Sequence, residues 1–412
     1  MSGFIGFSQK RNGVINQFTS QGIDDNADAN AITIASDESV TLSGDLVPSS
    51  ALSHRNMVIN GAFLIAQRAT SIASVGTSDY KTVDRFKQRS NGLDNVGGGS
   101  GLVQSQNSVT DLAGFNTSFK LYFNTAETSV EANEFLHIRH VVEAQNASHL
   151  SYGIAGAKTM TLSFYVKSNV NGTYAVSIQQ PDSSNRLIGT TYTVGDADWQ
   201  RVEWTIPGDA SGTINNNNGA GLYIDFWLAA GADYTGGSTN TSWTAHATNK
   251  EAYGHTANTL SAGMGWEITG VQLELGSNAT PFEHRSFAEE LTRCQRYYQR
   301  YGSPKTFDAG TYYYNSTIFM WCLPMDNDDV LGSHILPVEM RTSPTPTITD
   351  ALIRLSNNAN NFTSGNSLQE EFCSSTHVIL HIDLTTTALD VNNMIALSFQ
   401  STAGYYDLSA EL

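Results

Sequence analysis

The sequence has few charged residues, few cysteines and no long apolar run. Only 15% of its 412 residues are charged, whereas about a quarter are charged in a typical soluble domain. The three cysteines, Cys294, Cys322 and Cys373, cannot pair completely and lack metal-ligand spacing, so we predict buried thiols. No segment approaches the length of a membrane span, and the first residues lack the apolar core of a secretory signal. We therefore expect synthesis in a cytoplasm, without membrane insertion.

Positive charge is also scarce. The chain has 22 Lys and Arg residues against 39 Asp and Glu residues, which gives a net charge of −17. Such a charge works against binding to nucleic-acid phosphates and anionic headgroups. The composition leaves open a neutral or weakly cationic partner, or a glycan.

Apolar and polar residues alternate through most of the chain. The clearest alternation places Met160, Leu162, Phe164 and Val166 on one face, and residues 222–228 repeat it. A period of two with no helical pattern between the segments is typical of antiparallel strands. The sequence therefore predicts an all-β protein built on an antiparallel jelly-roll sandwich.

Four segments are predicted along the chain. Residues 1–54 contain strand-like pieces at 31–34 and 40–42 but too few large apolar residues for a core, so we interpret them as an extended anchor or oligomerisation segment. The predicted segments after it are the jelly-roll sandwich at 55–285, a short hinge helix at 286–301 and a smaller C-terminal β-sandwich at 302–412.

Residues 265–301 mark the border between the two β modules. The alternation changes phase at Gly270, which predicts a bulge in a strand. Ser286 and Glu289 form a capping-box pattern, which predicts the start of a helix.

The residues around this helix start are predicted to be structural. Phe282 and Phe287 are expected to fill the seam between the modules, with Glu283 and Arg285 satisfying each other and the helix N-terminus. Truncating Phe282 would then cost about 3–5 kcal/mol, as for a buried phenylalanine.

Two patterns could bind a metal. His137 and His140 have helical ligand spacing, but their flanking residues predict a strand, where the two side chains lie on opposite faces. Asp326, Asp328 and Asp329 form an acidic loop that could hold Ca²⁺, although a solvated turn explains them equally well. We expect structural histidines and no obligatory cofactor.

Carboxylates raise the question of glycoside hydrolysis. The candidates are Glu131, Glu134, Glu143, Asp225 and Asp233. That chemistry needs two carboxyl groups about 5–10 Å apart across a sugar cleft, a distance that a sequence does not give. No nucleophile elbow or phosphate loop is present, so we predict no catalytic residues and no enzymatic activity.

Aromatic residues on predicted outer faces suggest a glycan platform. If Leu222 to Leu228 alternate inward, Tyr223, Asp225 and Trp227 project together from the opposite face, and Tyr165 does the same on its own strand. Aromatic rings stack on the apolar faces of sugars, and a carboxylate accepts hydrogen bonds from hydroxyl groups. The alternative is that a neighbouring chain or the second module covers these rings.

A long loop offers a second candidate site for a glycan. Trp243 and Tyr253 lie in this loop, before the last strand of the sandwich. Loops at the rim of a rigid sandwich often carry recognition.

Two separated segments resemble a known protein family. Residues 271–301, VQLELGSNATPFEHRSFAEELTRCQRYYQRY, resemble the end of the carbohydrate-binding-module-like sandwich in bacteriophage tail-fibre and other virion appendage proteins. Residues 56–71 and 80–89, NMVINGAFLIAQRATS and YKTVDRFKQR, resemble its opening.

The resemblance implies a virion protein that is made in the host cytoplasm. Proteins of this kind assemble as homotrimers and attach to other tail or collar proteins through an N-terminal segment. The expected function is attachment to host cell-surface glycan. The alternatives are a purely structural head, collar or tail decoration protein and a glycan depolymerase.

Overall fold

A short strand pair lies in the N-terminal part of the chain. A computed structural model describes residues 32–34, 40–42, 53–73, 78–93, 101–127, 129–182, 185–195, 197–237, 242–302, 320–326, 329–349, 353–357, 360–362, 367–383, 395–399 and 405–412. Contacts divide the chain into two units, Met1–Ser49 and Ser50–Leu412. In the first unit, β1 (Ile32–Ile34) and β2 (Val40–Leu42) pair antiparallel, which confirms the two predicted strands.

The second unit begins with two antiparallel sheets. Their strands are β3 (Ser71–Ala73), β4 (Ser78–Asp79), β5 (Phe86–Asn91), β6 (Leu102–Ser108), β7 (Thr117–Phe123), β8 (Phe135–Glu143), β9 (Met160–Ser168), β10 (Gly172–Gln180), β11 (Arg186–Val194), β12 (Gln200–Ile206), β13 (Ala220–Ala230), β14 (Thr244–Ala245) and β15 (Gly265–Leu275). One sheet has the order β14-β11-β10-β13-β8-β5-β4, and the other has the order β12-β9-β15-β7-β6-β3. We call them the seven-stranded and six-stranded sheets.

The two sheets enclose one hydrophobic core. Phe164 of the six-stranded sheet and Phe226 of the seven-stranded sheet have ring centroids 5.1 Å apart, and both side chains are fully buried. Leu162 and Val166 lie on the same inward face as Phe164. The alternation along the sequence therefore arises because one face of each strand fills the space between the sheets. The predicted all-β, antiparallel architecture is confirmed.

The predicted bulge at Gly270 is confirmed. The register between β15 and β9 shifts between Thr269 and Gln272, and Gly270 has a φ of +63°. A Cβ on Gly270 would lie 2.8 Å from Phe115 and 2.9 Å from Tyr165, so a larger residue would meet both ring systems. Glycine is required here both by backbone conformation and by space.

Helices are short in the described part of the chain. They are the 3₁₀ helices Ala144–Leu150 and Thr248–Lys250, α1 (Ala232–Thr235) and α2 (Phe287–Gln295). Helix α2 starts as predicted, because the Ser286 side chain accepts a hydrogen bond from the Glu289 N–H at 3.3 Å. It ends at Gln295, earlier than the predicted residue 301, because Tyr298 onward pairs as a strand. No helix of the described residues is long and apolar enough to cross a membrane.

The C-terminal part forms two further antiparallel sheets. Their strands are β16 (Tyr298–Gly302), β17 (Met320–Pro324), β18 (Asp329–Ile335), β19 (Thr345–Thr349), β20 (Ile353–Asn357), β21 (Asn360–Phe362), β22 (Ser367–Cys373), β23 (His377–Asp383), β24 (Ile395–Phe399) and β25 (Tyr405–Ser409). The orders are β16-β25-β19 and β21-β20-β24-β17-β18-β23-β22. Strand β25 therefore lies between β16, which follows α2 directly, and β19, which begins more than 40 residues after β16 ends.

Buried ion pairs connect the end of the chain to the sandwich. The carboxylate of Glu411 contacts Arg85, which is fully buried, and lies 3.1 Å from Arg68. The Arg85 guanidinium also stacks on the Tyr297 ring, with 3.4 Å between the guanidinium carbon and the ring centroid. Removing one partner of such a buried pair leaves an uncompensated charge, which is strongly destabilising. This contact therefore fixes the C-terminal residues against the first module.

Candidate functional site

The outer face of the seven-stranded sheet carries a row of mostly polar residues, of which Arg139, Asp225 and Ser177 are buried. Strand register places five residues in one row across this face: Lys87 (β5), Arg139 (β8), Asp225 (β13), Ser177 (β10) and Gly189 (β11). Their chain neighbours Ile138 and Phe226 belong to the core, so the row lies on the opposite, outer side.

Asp225 is part of this face, but its carboxylate is not free. Arg139 Nε and Nη2 donate to the two carboxylate oxygens at 2.6 Å each, and Asp225 is 3% exposed. Burial raises the pKa of Asp225, but the Arg139 guanidinium and His137 lower it more, so the pKa lies below its ordinary value. The prediction that Asp225 is a free acceptor for sugar hydroxyls is therefore wrong, because a bidentate ion pair occupies it.

Trp227 is buried, so the prediction that it forms an exposed platform is also wrong. Its side chain is 1% exposed and belongs to a small cluster with Ala175, Ala230 and Ala252. The His137 ring lies 4.4 Å from the Trp227 ring and the Tyr234 ring lies 5.8 Å away. The indole N–H donates to Ser177 Oγ at 3.0 Å. The segment that follows β13 folds back over this part of the sheet and covers the ring.

Trp243 belongs to the main core and is not a loop platform. It is 8% exposed, contacts Tyr152 edge to face at 5.8 Å and donates its indole N–H to the Pro207 carbonyl at 2.7 Å. Its prediction as a glycan-binding residue is wrong, because a ring with a satisfied N–H inside the core offers no face to a ligand.

Tyr165 lies on the other side of the sandwich from Tyr223. Tyr165 is on β9 of the six-stranded sheet, half-buried against the Phe115 ring at 5.3 Å, with the Arg201 guanidinium 5.9 Å from its ring centroid. The predicted set of rings is therefore divided between two outer faces. Tyr165 and Tyr223 do not form one site.

Tyr223 is half-buried in the outer face of the seven-stranded sheet. The Arg139 guanidinium carbon lies 4.1 Å from its ring centroid, and Gln179 is its cross-strand neighbour on β10. Because Arg139 also holds Asp225, one side of the Tyr223 ring is covered by a rigidly placed cation. The ring is thus a fixed wall next to the polar row.

Tyr253 borders a depression at the β10 and β11 end of this face. The depression is shallow, with a volume of about 10 Å³, room for about one water molecule, and is lined by Ala175, Val176, Gly189, Thr190, Lys250, Glu251 and Tyr253. Its floor is low because the side chain of Ala175 is a single methyl group and Gly189 has no side chain. The walls come from the loop around the second 3₁₀ helix, where Glu251 Oε1 lies 2.5 Å from His246 Nε2.

Lys87 in the row, and Gly189 and Glu251 in the depression, are residues of this face that the sequence pattern did not single out. Their only signal is the alternation of Lys87 and Arg89 on β5, which places both on the outer face. Gly189 and Glu251 become part of the site only through strand pairing and loop folding.

The remaining sequence candidates occupy structural positions. His137 and His140 lie on β8 with their rings on opposite faces, as predicted; burial lowers the pKa of His137 to about 3 and that of His140 well below its usual range. Glu143 accepts hydrogen bonds from Arg296 and from the Tyr297 hydroxyl. Glu134 accepts from the Glu131 N–H at 2.8 Å, and Asp233 lies in α1.

The acidic loop is only partly described. Asp326 accepts a hydrogen bond from the Asp329 N–H at 2.9 Å, and Asp329 lies 3.1 Å from His381 Nε2. Asp328 lies outside the described residues. Within the residues that are described, no three His, Cys, Asp or Glu side chains come together as metal ligands.

The residues around the start of α2 differ in their burial. Glu283 accepts a hydrogen bond from the Asn56 N–H at 3.0 Å, and Arg285 donates to the Val58 carbonyl at 3.0 Å. Phe282 is half-buried, 5.2 Å from Phe115. Phe287 is 60% exposed, so the prediction that it fills a seam is wrong. The apolar side chains that dock the helix are Leu291 and Cys294.

Comparison with solved structures finds matches at low similarity. The enzymatically active domain of tailspike protein 4 from bacteriophage CBA120 matches over 54% of this chain and 21% of its own, with 14% identity and a TM-score of 0.28. A structure described as CBM4 matches over 53% of this chain and 99% of its own, with 13% identity and a TM-score of 0.27. The family 11 carbohydrate-binding module of cellulase Lic26A-Cel5E from Clostridium thermocellum matches over 51% of this chain and 99% of its own, with 13% identity and a TM-score of 0.24.

The sequence comparisons found no match, either among protein-family models or among curated proteins. This chain spans about a fifth of the tailspike chain it matches. At these identities and TM-scores the structural likeness identifies neither a ligand nor a reaction.

Proposed function

We propose that the chain binds glycan non-covalently on the outer face of the seven-stranded sheet. The observation that carries the proposal is the shallow depression beside Tyr253, whose floor residue Gly189 ends the row that runs across the sheet to Lys87. A low floor with an aromatic wall and charged rims suits a sugar, which has apolar ring faces and hydroxyl edges.

Each wall of the depression has a role in this proposal. The Tyr253 ring stacks on the apolar face of a sugar, while Glu251 accepts and Lys250 donates hydrogen bonds at the ring edge. Gly189 sets the depth of the floor. One such site binds weakly, and several copies acting together supply a useful strength.

Two substitutions test the site. Tyr253→Ala removes the stacking wall, and Gly189→Val fills the floor, since a Cβ on Gly189 meets its neighbours only at an ordinary 3.4 Å. Binding of host cell-surface polysaccharide by the full chain is measured by titration calorimetry. Each variant is expected to lose about tenfold or more in affinity, which corresponds to about 1.4 kcal/mol.

The matched control is Tyr165→Ala, which removes a half-buried tyrosine from the outer face of the other sheet. It is expected to bind as the wild type does. Wild-type affinity in both site variants, with all proteins folded by circular dichroism, would contradict the proposed location.

We further propose that the chain is a tail-fibre-type protein of a bacteriophage virion, where glycan binding mediates host attachment. The two segments at 56–89 and 271–301 support this setting through their resemblance to virion appendage proteins. Purified chain that competes with phage adsorption to host cells would support an attachment role. A structural decoration protein would not compete.

The proposed role is binding without hydrolysis. Asp225 and Glu143, two of the carboxylates considered for catalysis, are each held by a bidentate arginine, which suits a structural ion pair. Release of reducing sugar from host polysaccharide on incubation with the chain would instead favour a depolymerase.

We also propose that the protein is a homotrimer, with the sheet that contains β17, β18 and β22 at the subunit interface. Four large apolar side chains in this region are 59–69% exposed: Leu323, Met325, Ile335 and Phe372. Leu323 pairs with Leu331, and Ile335 lies four residues beyond Leu331 on the same side of β18, so one face of the sheet carries apolar groups. Exposed apolar patches of this kind mark interaction surfaces.

Mass photometry of the full chain tests the oligomeric state. The wild type is expected at three times the chain mass, and an Ile335→Glu, Phe372→Glu double variant is expected at the mass of one chain. A wild type that is monomeric at micromolar concentration would refute the assembly but leave the glycan site unaffected.

A further inference from the structure

A histidine lies within the exposed apolar face of the C-terminal sheet. Ile335 and Phe372 are each 69% exposed on this face. His377 on β23 is the cross-strand neighbour of Ile335 on β18, and Ile379 on β23 is the neighbour of Phe372 on β22. Because His377 and Ile379 are two residues apart on one strand, they share a face. His377, which is exposed, therefore lies between Ile335 and Phe372.

A second histidine on this face has its own counter-ion. His381 is the cross-strand neighbour of Leu331, which pairs in turn with the exposed Leu323. Its Nε2 lies 3.1 Å from Asp329 Oδ1. A proton gained by His381 is therefore compensated by a carboxylate, and its charge does not remain unpaired.

His377 has no such carboxylate. Its Nδ1 lies 2.9 Å from the hydroxyl oxygen of Thr376, and no carboxylate of the described residues forms an ion pair with its ring. The acidic residues on the elements packed against it are Asp326, Asp329, Glu339, Glu370, Glu371 and Asp383. Glu339 accepts a hydrogen bond from a serine hydroxyl at 3.0 Å, and Glu370 is the cross-strand neighbour of a buried leucine. Asp329 pairs with the far end of β23, about 20 Å along the strand from His377.

We propose that His377 makes the trimer sensitive to pH, so that the trimer is stable at neutral pH and dissociates when His377 gains a proton. This regulation rests on the proposed homotrimer, whose interface contains Ile335 and Phe372. A neutral imidazole between these two side chains can pack against the apolar face of a neighbouring copy. The protonated ring would bury a charge without a counter-ion, which is unfavourable.

The direction of the effect follows from proton binding. Burial at the interface favours the neutral ring, so the separate chains bind more protons than the trimer, and acid opposes association. Each copy contributes one His377. The association constant of three chains therefore falls by up to about a thousandfold for each pH unit below the range in which histidine titrates. The net charge of −17 gives the opposite trend, because carboxylates that gain protons reduce the repulsion between copies.

Sedimentation velocity of the full chain at about pH 7.5 and about pH 5.5 tests the inference. The wild type is expected as a trimer at the higher pH and mainly as single chains at the lower, with the same far-ultraviolet circular dichroism. His377→Gln keeps a neutral polar side chain and is expected to stay trimeric at both. His377→Arg carries a permanent charge and is expected as single chains at both. His284→Gln, an exposed histidine of the sandwich, is the control and is expected to respond as the wild type does.

The outcomes separate this inference from the trimer itself. A wild type that stays trimeric at both pH values, or His377→Gln that dissociates in acid, would overturn the role of His377 while leaving the trimer intact. His381→Gln is expected to keep the wild-type response. Loss of the response in His381→Gln, with the response kept in His377→Gln, would overturn the choice of residue. A wild type found as single chains at about pH 7.5 would overturn the trimer and its regulation together.

Discussion

Replacing Trp227 with alanine tests whether the middle of the seven-stranded sheet is covered or exposed. The ring is 1% exposed and lies between His137, at 4.4 Å, and Tyr234, at 5.8 Å. Truncation leaves a cavity that these neighbours cannot fill, which costs about 3–5 kcal/mol. Ser177 Oγ also loses the indole N–H that donates to it. Trp227→Phe keeps most of the ring and loses mainly the hydrogen bond, so its cost is about 1–2 kcal/mol.

Thermal unfolding of the full chain, followed by near-ultraviolet circular dichroism, measures both effects. For a domain of roughly 150–250 residues, each kcal/mol shifts the Tm by about 2–4 °C, so Trp227→Ala is expected to lower the Tm by roughly 6–20 °C. Tyr253→Ala is the control, since a wall residue of the depression should change the Tm little. The reasoning would be refuted by a Trp227→Ala variant that melts like the wild type and has lost glycan binding, because an exposed platform predicts that pair of results.

Four other substitutions test particular contacts. Phe287→Ala should leave the free energy of unfolding within about 0.5 kcal/mol of wild type, because the ring is 60% exposed. Phe282→Ala should lower the free energy of unfolding by about 2 kcal/mol, because Phe282 is half-buried and loses about half of what a buried phenylalanine loses. Urea unfolding of both variants measures the two values. Burial lowers the pKa of His255 to about 4. The contribution of the neutral His255 side chain to the free energy of unfolding is therefore fully present above pH 6.5 and is lost as the pH falls through 4. His255→Asn should therefore lose less stability than the wild type between pH 7 and pH 4, by about 3 kcal/mol, and parallel pH profiles of Tm would contradict the assignment. Gly270→Ala should destabilise by more than about 1 kcal/mol in the same urea assay, because its Cβ would lie 2.8 Å from Phe115 at a positive φ.

Much of the fold could be predicted from the sequence, because the spacing of apolar residues indicates which face of each strand is buried. The alternation places Phe164 and Phe226 on inward faces, and they meet in the core at 5.1 Å. One change of phase predicts the bulge at Gly270, and one capping pattern predicts the helix cap at Ser286; both are local signals that act within a few residues. The predicted end of α2 is too late, because the apolar residues after Gln295 fit a strand as well as a helix.

The candidate site could not be predicted to the same extent, because alternation says which residues share a face but not what covers it. Trp227 and Tyr223 are on the same face of one strand, yet only Trp227 is enclosed by the segment that follows that strand. Alternation also does not assign a strand to a sheet. Tyr165 and Tyr223 have equivalent patterns in the sequence, and they lie on opposite sides of the sandwich.

In the proposed glycan site, recognition and folding depend on different residues of the same face. Arg139 and Asp225 form a buried ion pair in the middle of the sheet, and breaking such a pair is strongly destabilising, so these positions cannot vary freely. Lys250, Glu251 and Tyr253 come from a loop and contact the sheet at a floor of small residues. Substitutions in that loop change the shape and charge of the depression without disturbing strand register. In the proposed site, ligand preference can therefore change through the loop walls while the ion-paired sheet beneath them stays the same.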